Sequence, residues 1–275
     1  MAQPSPQLYY EVLHGLLLDL FGHDWHLGYW LNADNPAEAA ARLNEIMLAR
    51  LPLEEGMTVL DLGCGVGGPA CFIAEKTHCQ VIGLSNSPLG LAEAERYAKE
   101  RGVQDLVRFH LGEATRMPFD DNSFDALWSC EAIHNVEGKE PLAREIARVL
   151  KPGGTVILGD LFWLWEPGQK GQDLERFRQF SFHLLTADRL IEIMQAHNIR
   201  IHESISIGHH IGPKSPAMCA EICREKAGRS AEKTLERMIL ERTIDATSLL
   251  AEGFALGKIS WGIWAGRKKD ESPQS

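Results

Sequence analysis

The first residue in this chain whose type and position point to chemistry is Asp61. It lies in Met57-Thr-Val-Leu-Asp-Leu-Gly-Cys-Gly-Val-Gly-Gly68, where an apolar run carries one carboxylate straight into four glycines. The apolar run reads as a buried strand of a parallel sheet. The glycines read as a sharp turn whose backbone can approach a ligand closely. The residues that follow, from Pro69 to Lys76, read as a helix. Strand, glycine-rich turn and helix are how an open α/β sheet binds a nucleotide-like ligand. Gly63-x-Gly65-x-x-Gly68 taken alone fits a dinucleotide. A carboxylate two residues before the first glycine repels a pyrophosphate but attracts an ammonium. The pattern favours S-adenosylmethionine (SAM), which has an α-amino group and no phosphate, over NAD.

Bulk properties narrow the class. At 275 residues, with 44% hydrophobic residues, the chain fits one large α/β domain or a domain plus a cap. A net charge of −10 and the absence of a long basic run argue against nucleic acid as a partner. The six cysteines form no C-x-x-C pair, and Cys219-x-x-x-Cys223 has no matching second pair, so no metal is expected. Cys64, Cys71, Cys79 and Cys130, in apolar sheet or helix contexts, read as buried free thiols of a reducing compartment. No 18-residue apolar run and no basic start to a leader segment are present, so a cytoplasmic protein without a membrane span is expected. Oligomeric state is left open.

The elements that must position Asp61 follow in order. Residues 8–21 predict an amphipathic helix and 36–51 a second, entered through Asn35-Pro36. Between them lies His26-Leu-Gly-Tyr-Trp30, either a core plug or a lid over the ligand. Strands are predicted at 57–62, 79–84, 107–110, 124–129 and 155–159, alternating with helices at 68–77, 88–101 and 139–150. Lys151-Pro-Gly-Gly154 reads as a turn. After 160 the rhythm changes. Residues 161–183 look like an inserted cap, 186–197 a helix capped by Thr186, 209–216 a loop, and 217–250 helical with a break near Gly228. Residues 199–207 and 257–266 alternate, as an antiparallel edge hairpin would. The expected fold is α/β: a Rossmann-like, seven-stranded, mostly parallel sheet with a C-terminal antiparallel hairpin, helices on both faces and an inserted helical cap. The expected units are an N-terminal helical lid or cap (1–54), a SAM-binding core (55–160), a cap and acceptor region (161–250), and the last strand with a disordered tail (251–275).

Three motifs together carry a resemblance. Val59-Leu-Asp-Leu-Gly-Cys-Gly-Val-Gly-Gly68, Met117-Pro-Phe-Asp-Asp-Asn-Ser-Phe-Asp125 and Leu150-Lys-Pro-Gly-Gly-Thr155 stand in the order and spacing of a class I SAM-dependent methyltransferase. With His26–Trp30 and Gly83-Leu-Ser-Asn-Ser-Pro88, the chain resembles the branch that holds sterol and tocopherol methyltransferases and natural-product O-methyltransferases. The resemblance implies that Asp61, Gly63, Gly65 and Gly67 hold the methionine half of SAM. It places Ser85 and Asn86 at the ribose, where many members have an acidic residue, and Glu113 and Ala114 at the adenine. Tyr29 and Trp30 would cover the cofactor.

Methyl transfer to a hydroxyl asks the protein to position the acceptor and to remove a proton. The resemblance places the base past the fourth strand, in Trp128-Ser-Cys-Glu-Ala-Ile-His-Asn135, where His134 is the candidate because histidine is the residue type suited to moving a proton near neutral pH. Asp160 either orients His134, binds the acceptor hydroxyl or caps the next segment. Glu131 reads as a structural or cofactor-facing carboxylate. Phe162, Trp163, Trp165 and Phe182, with His26, suggest an apolar acceptor pocket. The expected function is methylation of a small secondary metabolite, with O-methylation first. C- or N-methylation of an isoprenoid, indole or amine is the alternative, and an NAD(P) oxidoreductase the reading from another class.

Overall fold

The computed structural model describes residues 6–166, 172–212, 214–229 and 234–270, with side chains described from residue 14 onward. Two helices, α1 (Pro6–Phe21) and α2 (Pro36–Leu48), precede the alternating part of the chain. That part runs β1 (Thr58–Leu62), α3 (Gly68–Thr77), β2 (Gln80–Ser85), α4 (Pro88–Glu100), β3 (Val107–Leu111), β4 (Phe124–Cys130), a 3-10 turn (Ile133–Asn135), α5 (Lys139–Val149) and β5 (Leu150–Trp163). The remainder is α6 (Gln172–Arg178), α7 (Ala187–Ala196), β6 (Ile199–Ser206), α8 (Gly208–Ile211), α9 (Lys214–Arg229), α10 (Leu235–Ala255) and β7 (Ile259–Lys268).

The helix starts follow local chemistry. Asn35, Ser87 and Thr186 each accept a hydrogen bond from the backbone N–H three residues on, at Glu38, Gly90 and Arg189, and prolines follow the first two. The seven strands form one sheet in the order β3-β2-β1-β4-β5-β7-β6. The first five are parallel, and β7 runs antiparallel between β5 and β6. This is the Rossmann-like arrangement the strand–helix rhythm predicts, with the antiparallel pair at the C-terminal side.

Side chains alternate across the sheet, so each face has its own core. One packs Val59, Trp128, Ile157 and Trp261 against α2, α3 and α10. The other packs Leu60, Leu127, Leu158 and Trp264 against α5 and α7. A third cluster joins Leu16 and Phe21 of α1 to Cys219 and Cys223 of α9 and to Ile239 and Leu240 of α10. The cysteines are free thiols, five buried and Cys130 partly so.

Two local readings change, the length of β5 and the loop at 209–216. Strand β5 is far longer than 155–159: pairing begins at Leu150, passes an irregularity opposite Phe124 and Ala126, and continues to Trp163. The helical stretch 217–250 breaks after Arg229, next to the expected Gly228, and α10 opens on the cap of Thr234. Residues 208–211, expected as loop, make the short α8, and α6 forms inside the stretch 161–183. Residues 1–7, expected from their Pro and Ser content to be loose, enter α1 at Pro6, and the expected tail 267–275 begins inside β7, which runs to Lys268; residues 1–5 and 271–275 lie outside the described residues.

Candidate active site

The sheet order reverses between β1 and β4, and the carboxyl ends of those strands open a crevice there, the usual ligand position in such sheets. The glycine turn hangs on β2, with Gly63 N–H and Cys64 N–H both donating to Leu84 O, at 2.8 and 3.1 Å. Gly63 has a φ of +81°, and a Cβ there would stand 2.2 Å from the Ala132 side chain. Gly65 has a φ of +51° with open space around it, so the turn leaves a cradle that a larger residue would fill under backbone strain.

Asp61, 2% exposed, stands at the base of this cradle. Its carboxylate accepts from the Ala70 N–H of α3, while Oδ2 is buried with no hydrogen-bond partner among the described residues. Burial, and secondarily the charge of Asp24, push its pKa up to about 7. A buried carboxylate oxygen with no partner is unfavourable until a donor arrives. The cradle and this orphan oxygen fit the ammonium of SAM.

Asp24 is a member that the sequence did not single out. Its Oδ1 accepts from Asn44 Nδ2 at 2.8 Å and lies 3.9 Å from His26 Nε2. His26 itself is buried with neither ring nitrogen hydrogen-bonded among the described residues, and burial lowers its pKa. It stands in this polar cluster around Asp24, and it does not line the crevice around His134.

The loop carrying His26 is sewn to the site. Leu27 N–H donates to Glu131 Oε1 at 2.8 Å, and Trp261 Nε1–H of β7 donates to the same oxygen at 2.9 Å. Glu131 adopts a φ of +50° at the end of β4, and burial, opposed by the Leu27 hydrogen bond, raises its pKa to about 7. Tyr29 N–H donates to Ala39 O, and its ring lies 4.7 Å from that of His210. Trp30 Nε1–H reaches Leu27 O and Ser215 Oγ, with Lys214 Nζ 4.0 Å from the ring centroid. The loop is therefore held by α2, α8, α9 and Glu131. Around the same strand ends, Ser85 is half-buried and its Oγ accepts from Ser87 N–H. Asn86 and Glu113 are exposed, and Ala114 packs beside the second core.

His134 sits on the 3-10 turn after β4. Its ring Nδ1 is 2.7 Å from Asp160 Oδ1, and its backbone N–H donates to Asp160 Oδ2 at 3.0 Å. Leu161 N–H adds a third hydrogen bond to the carboxylate, at 2.7 Å. Both side chains are buried, His134 at 7% and Asp160 at 1% exposed. With Nδ1 donating to the carboxylate, Nε2 carries the lone pair. The pair lines a narrow crevice, partly open to solvent, together with Lys139, Phe162, His183, Leu184, Leu185 and Trp264, among others.

The aromatic residues of the expected acceptor pocket separate. Phe162 lines this crevice, and the Phe182 ring is 5.5 Å from that of His134. Trp163 is packed against Phe177 in the first core, and Trp165 is half exposed at the surface. The sequence also missed Lys139, a buried amine beside Asp160, because a lysine at a helix start reads as surface charge. Among the described residues no cluster of His, Cys, Asp and Glu could hold a metal ion, and no helix is long and apolar enough to cross a membrane.

A doubly wound sheet with a buried carboxylate and a glycine cradle at its switch point is the architecture of class I SAM-dependent methyltransferases. Comparison with known proteins agrees. Residues 60–158 match the family described as "Methyltransferase domain". The chain is 34% identical over 201 residues to 27-O-demethylrifamycin SV methyltransferase of Amycolatopsis mediterranei, covering 72% of this chain and 74% of that one. It is 38% identical over 156 residues to methyltransferase GfsG of Streptomyces halstedii, covering 56% of each chain. With the sterol 24-C-methyltransferase of Pneumocystis carinii it shares 37% over 145 residues, which is 51% of this chain but only 38% of that one. The fold superposes on mycolic acid cyclopropane synthase CmaA1 complexed with SAH and CTAB with a TM-score of 0.82 at 19% identity, covering 95% of this chain and 96% of that one. The chain belongs to the SAM-dependent methyltransferase family, and SAM is its cofactor.

Proposed function

We propose that this protein methylates a hydroxyl group of a small secondary metabolite. The observation that carries the reading is the buried contact of His134 Nδ1 with Asp160 at 2.7 Å. Asp61 with Gly63, Gly65 and Gly67 would hold the methionine half of the cofactor, Ser85 and Asn86 the ribose, and Glu113 and Ala114 the adenine. Bound SAM supplies an electrophilic methyl group on a positively charged sulfur. His134 Nε2 takes the proton of the acceptor hydroxyl, and Asp160 holds the ring in the required tautomer and offsets the imidazolium charge. Glu131 and Trp30 pin the loop 23–30 over the strand ends, which excludes water from the reacting groups. Phe162, Leu184 and Leu185 offer the acceptor an apolar wall.

Asp160→Asn tests the assignment, since an amide no longer selects the tautomer with the lone pair on Nε2. Turnover of a hydroxyl acceptor should fall by about 10²–10⁴ while SAM affinity, read by calorimetry, is retained. An Asp160→Asn enzyme with full turnover would remove the pair from the mechanism.

A second reading rests on a different observation. Four buried or half-buried carboxylates, Asp24, Asp61, Glu131 and Asp160, lie near Cys130 at the carboxyl ends of the strands, and Asp24 acts on Asp61 and Asp160 on Glu131 electrostatically. Such a field suits positive charge developing on carbon, and sterol 24-C-methyltransferases are among the relatives. Nuclear magnetic resonance of a product made with ¹³C-methyl SAM separates the two, because an O-methyl carbon and a C-methyl carbon resonate far apart.

A further inference from the structure

Lys139 breaks a local rule. It is the first residue of α5, where the helix dipole disfavours a cation, and Gly138 before it supplies no side-chain cap. It is also 8% exposed, which is rare for lysine. Its side chain turns back from α5. Nζ donates to Ile133 O at 2.8 Å and, more closely, to Val136 O. Those two carbonyls bracket the turn Ile133–Asn135 that carries His134. Among the residues lining the crevice, Lys139 is the one lysine or arginine. The groups that face it come from every neighbouring element: Asp160 from β5, Glu137 from the loop before α5, and His183 from the segment before α7, whose N–H in turn donates to His134 O.

We propose that Lys139 is a positioning residue, whose ammonium clamps the turn bearing His134 and so fixes the imidazole against Asp160. The inference rests on the reading of His134 as the base, but its geometry stands apart from the cofactor site. Three contacts define the turn: Asp160 holds the His134 ring and backbone, His183 holds its carbonyl, and Lys139 holds the carbonyls on either side. Only the last is made by a long, unbranched side chain, and it is made with charge. Burial brings the pKa of Lys139 down to about 8, with Asp160 and Glu137 opposing the shift. The charged clamp is therefore present below pH 8 and is lost as pH rises through that value.

The test uses the full-length protein with Lys139→Met, which keeps the stem, and Lys139→Arg, which keeps the charge. The His134 Nδ1–H resonance, assigned by its disappearance in His134→Ala, should be broadened or lost in Lys139→Met and kept in Lys139→Arg. In Lys139→Met, kcat should fall by about 10²-fold, as misplacement of a reacting group by an ångström does, with little change in KM for SAM. Wild-type kcat should show an alkaline limb near pH 8 that is absent in Lys139→Arg. A folded Lys139→Met protein with an unchanged resonance and unchanged kcat would overturn the inference. Should Lys139→Met fail to fold, Lys139→Gln retains donors without the charge and is read by the same resonance and pH profile. If His134→Ala leaves turnover intact, the base assignment fails, while the resonance still decides the role of Lys139.

Discussion

Asp61 shows how much a single buried group sets. Its pKa near 7, above the ordinary carboxylate range, means that the folded protein holds a proton there that the unfolded chain has released. Folding stability of the cofactor-free protein should therefore fall as pH rises from about 4 to about 7, and Glu131 acts in the same sense. A cationic ligand reverses this by favouring the ionised carboxylates. Calorimetry should accordingly find SAM affinity rising between pH 6 and pH 8. Asp61→Asn should cost SAM binding about 1.5–3 kcal/mol, roughly tenfold to a hundredfold, and should raise the Tm of the cofactor-free protein at pH 8. A substitution that left affinity unchanged would contradict the assignment. At this scale the sequence was informative where residue types are restricted: a carboxylate before glycines, and a histidine after the fourth strand. Asp24, Asn44 and Lys139 escaped because their meaning comes from burial beside residues distant in the chain, and each is an unremarkable polar residue in its own segment.

Among the elements, the loop 23–30 is held by contacts that no periodicity announces. Leu27 N–H and Trp261 Nε1–H converge on one oxygen of Glu131, which ties the loop to β7 across the end of β4. Glu131→Ala should speed hydrogen exchange of amides 23–30 while leaving those of β1 and β4 protected, and Glu131→Gln, whose amide oxygen still accepts, should restore protection. Uniform exchange in Glu131→Ala would mean that the loop is held by its other contacts alone. Helix starts were legible because caps are local chemistry, as Asn35, Ser87 and Thr186 show. The length of β5 was not. Lys151-Pro-Gly-Gly154 spells a turn, and Gly153 does adopt a φ of +72°. The strand nonetheless extends at its other end because Asp160 to Trp163 find partners from Gly262 back to Ile259, a pairing with a segment about a hundred residues away. The helix α8 was hidden for a similar reason: its residues 208–211 pack against β7, and Gly208 fits there because a Cβ would meet Ser260.

For the molecule as a whole, the last strand is the keystone. β7 lies between β5 and β6, so β6 joins the sheet only through the strand that is made last. Its Trp261 and Trp264 anchor the two opposite cores. Removing residues 257–275 should therefore abolish the cooperative thermal transition, whereas removing residues 271–275 alone should leave Tm within a degree or two; a cooperative transition in the shorter chain would show that the parallel five strands fold alone. The strand–helix rhythm made the parallel half of the sheet readable, since each crossover is fixed in hand. The position of β7 between two earlier strands has no local signal, and neither does the identity of the acceptor, because this fold carries many chemistries on one frame.

The central claim is that the buried His134–Asp160 pair removes a proton from an acceptor hydroxyl. Single-turnover transfer of a radiolabelled methyl group from SAM by His134→Ala, with SAM affinity measured on the same sample, addresses it most directly. The rate should be lower by about 10²–10⁴ at unchanged affinity; an unchanged rate of O-methylation would show that His134 does not remove the proton.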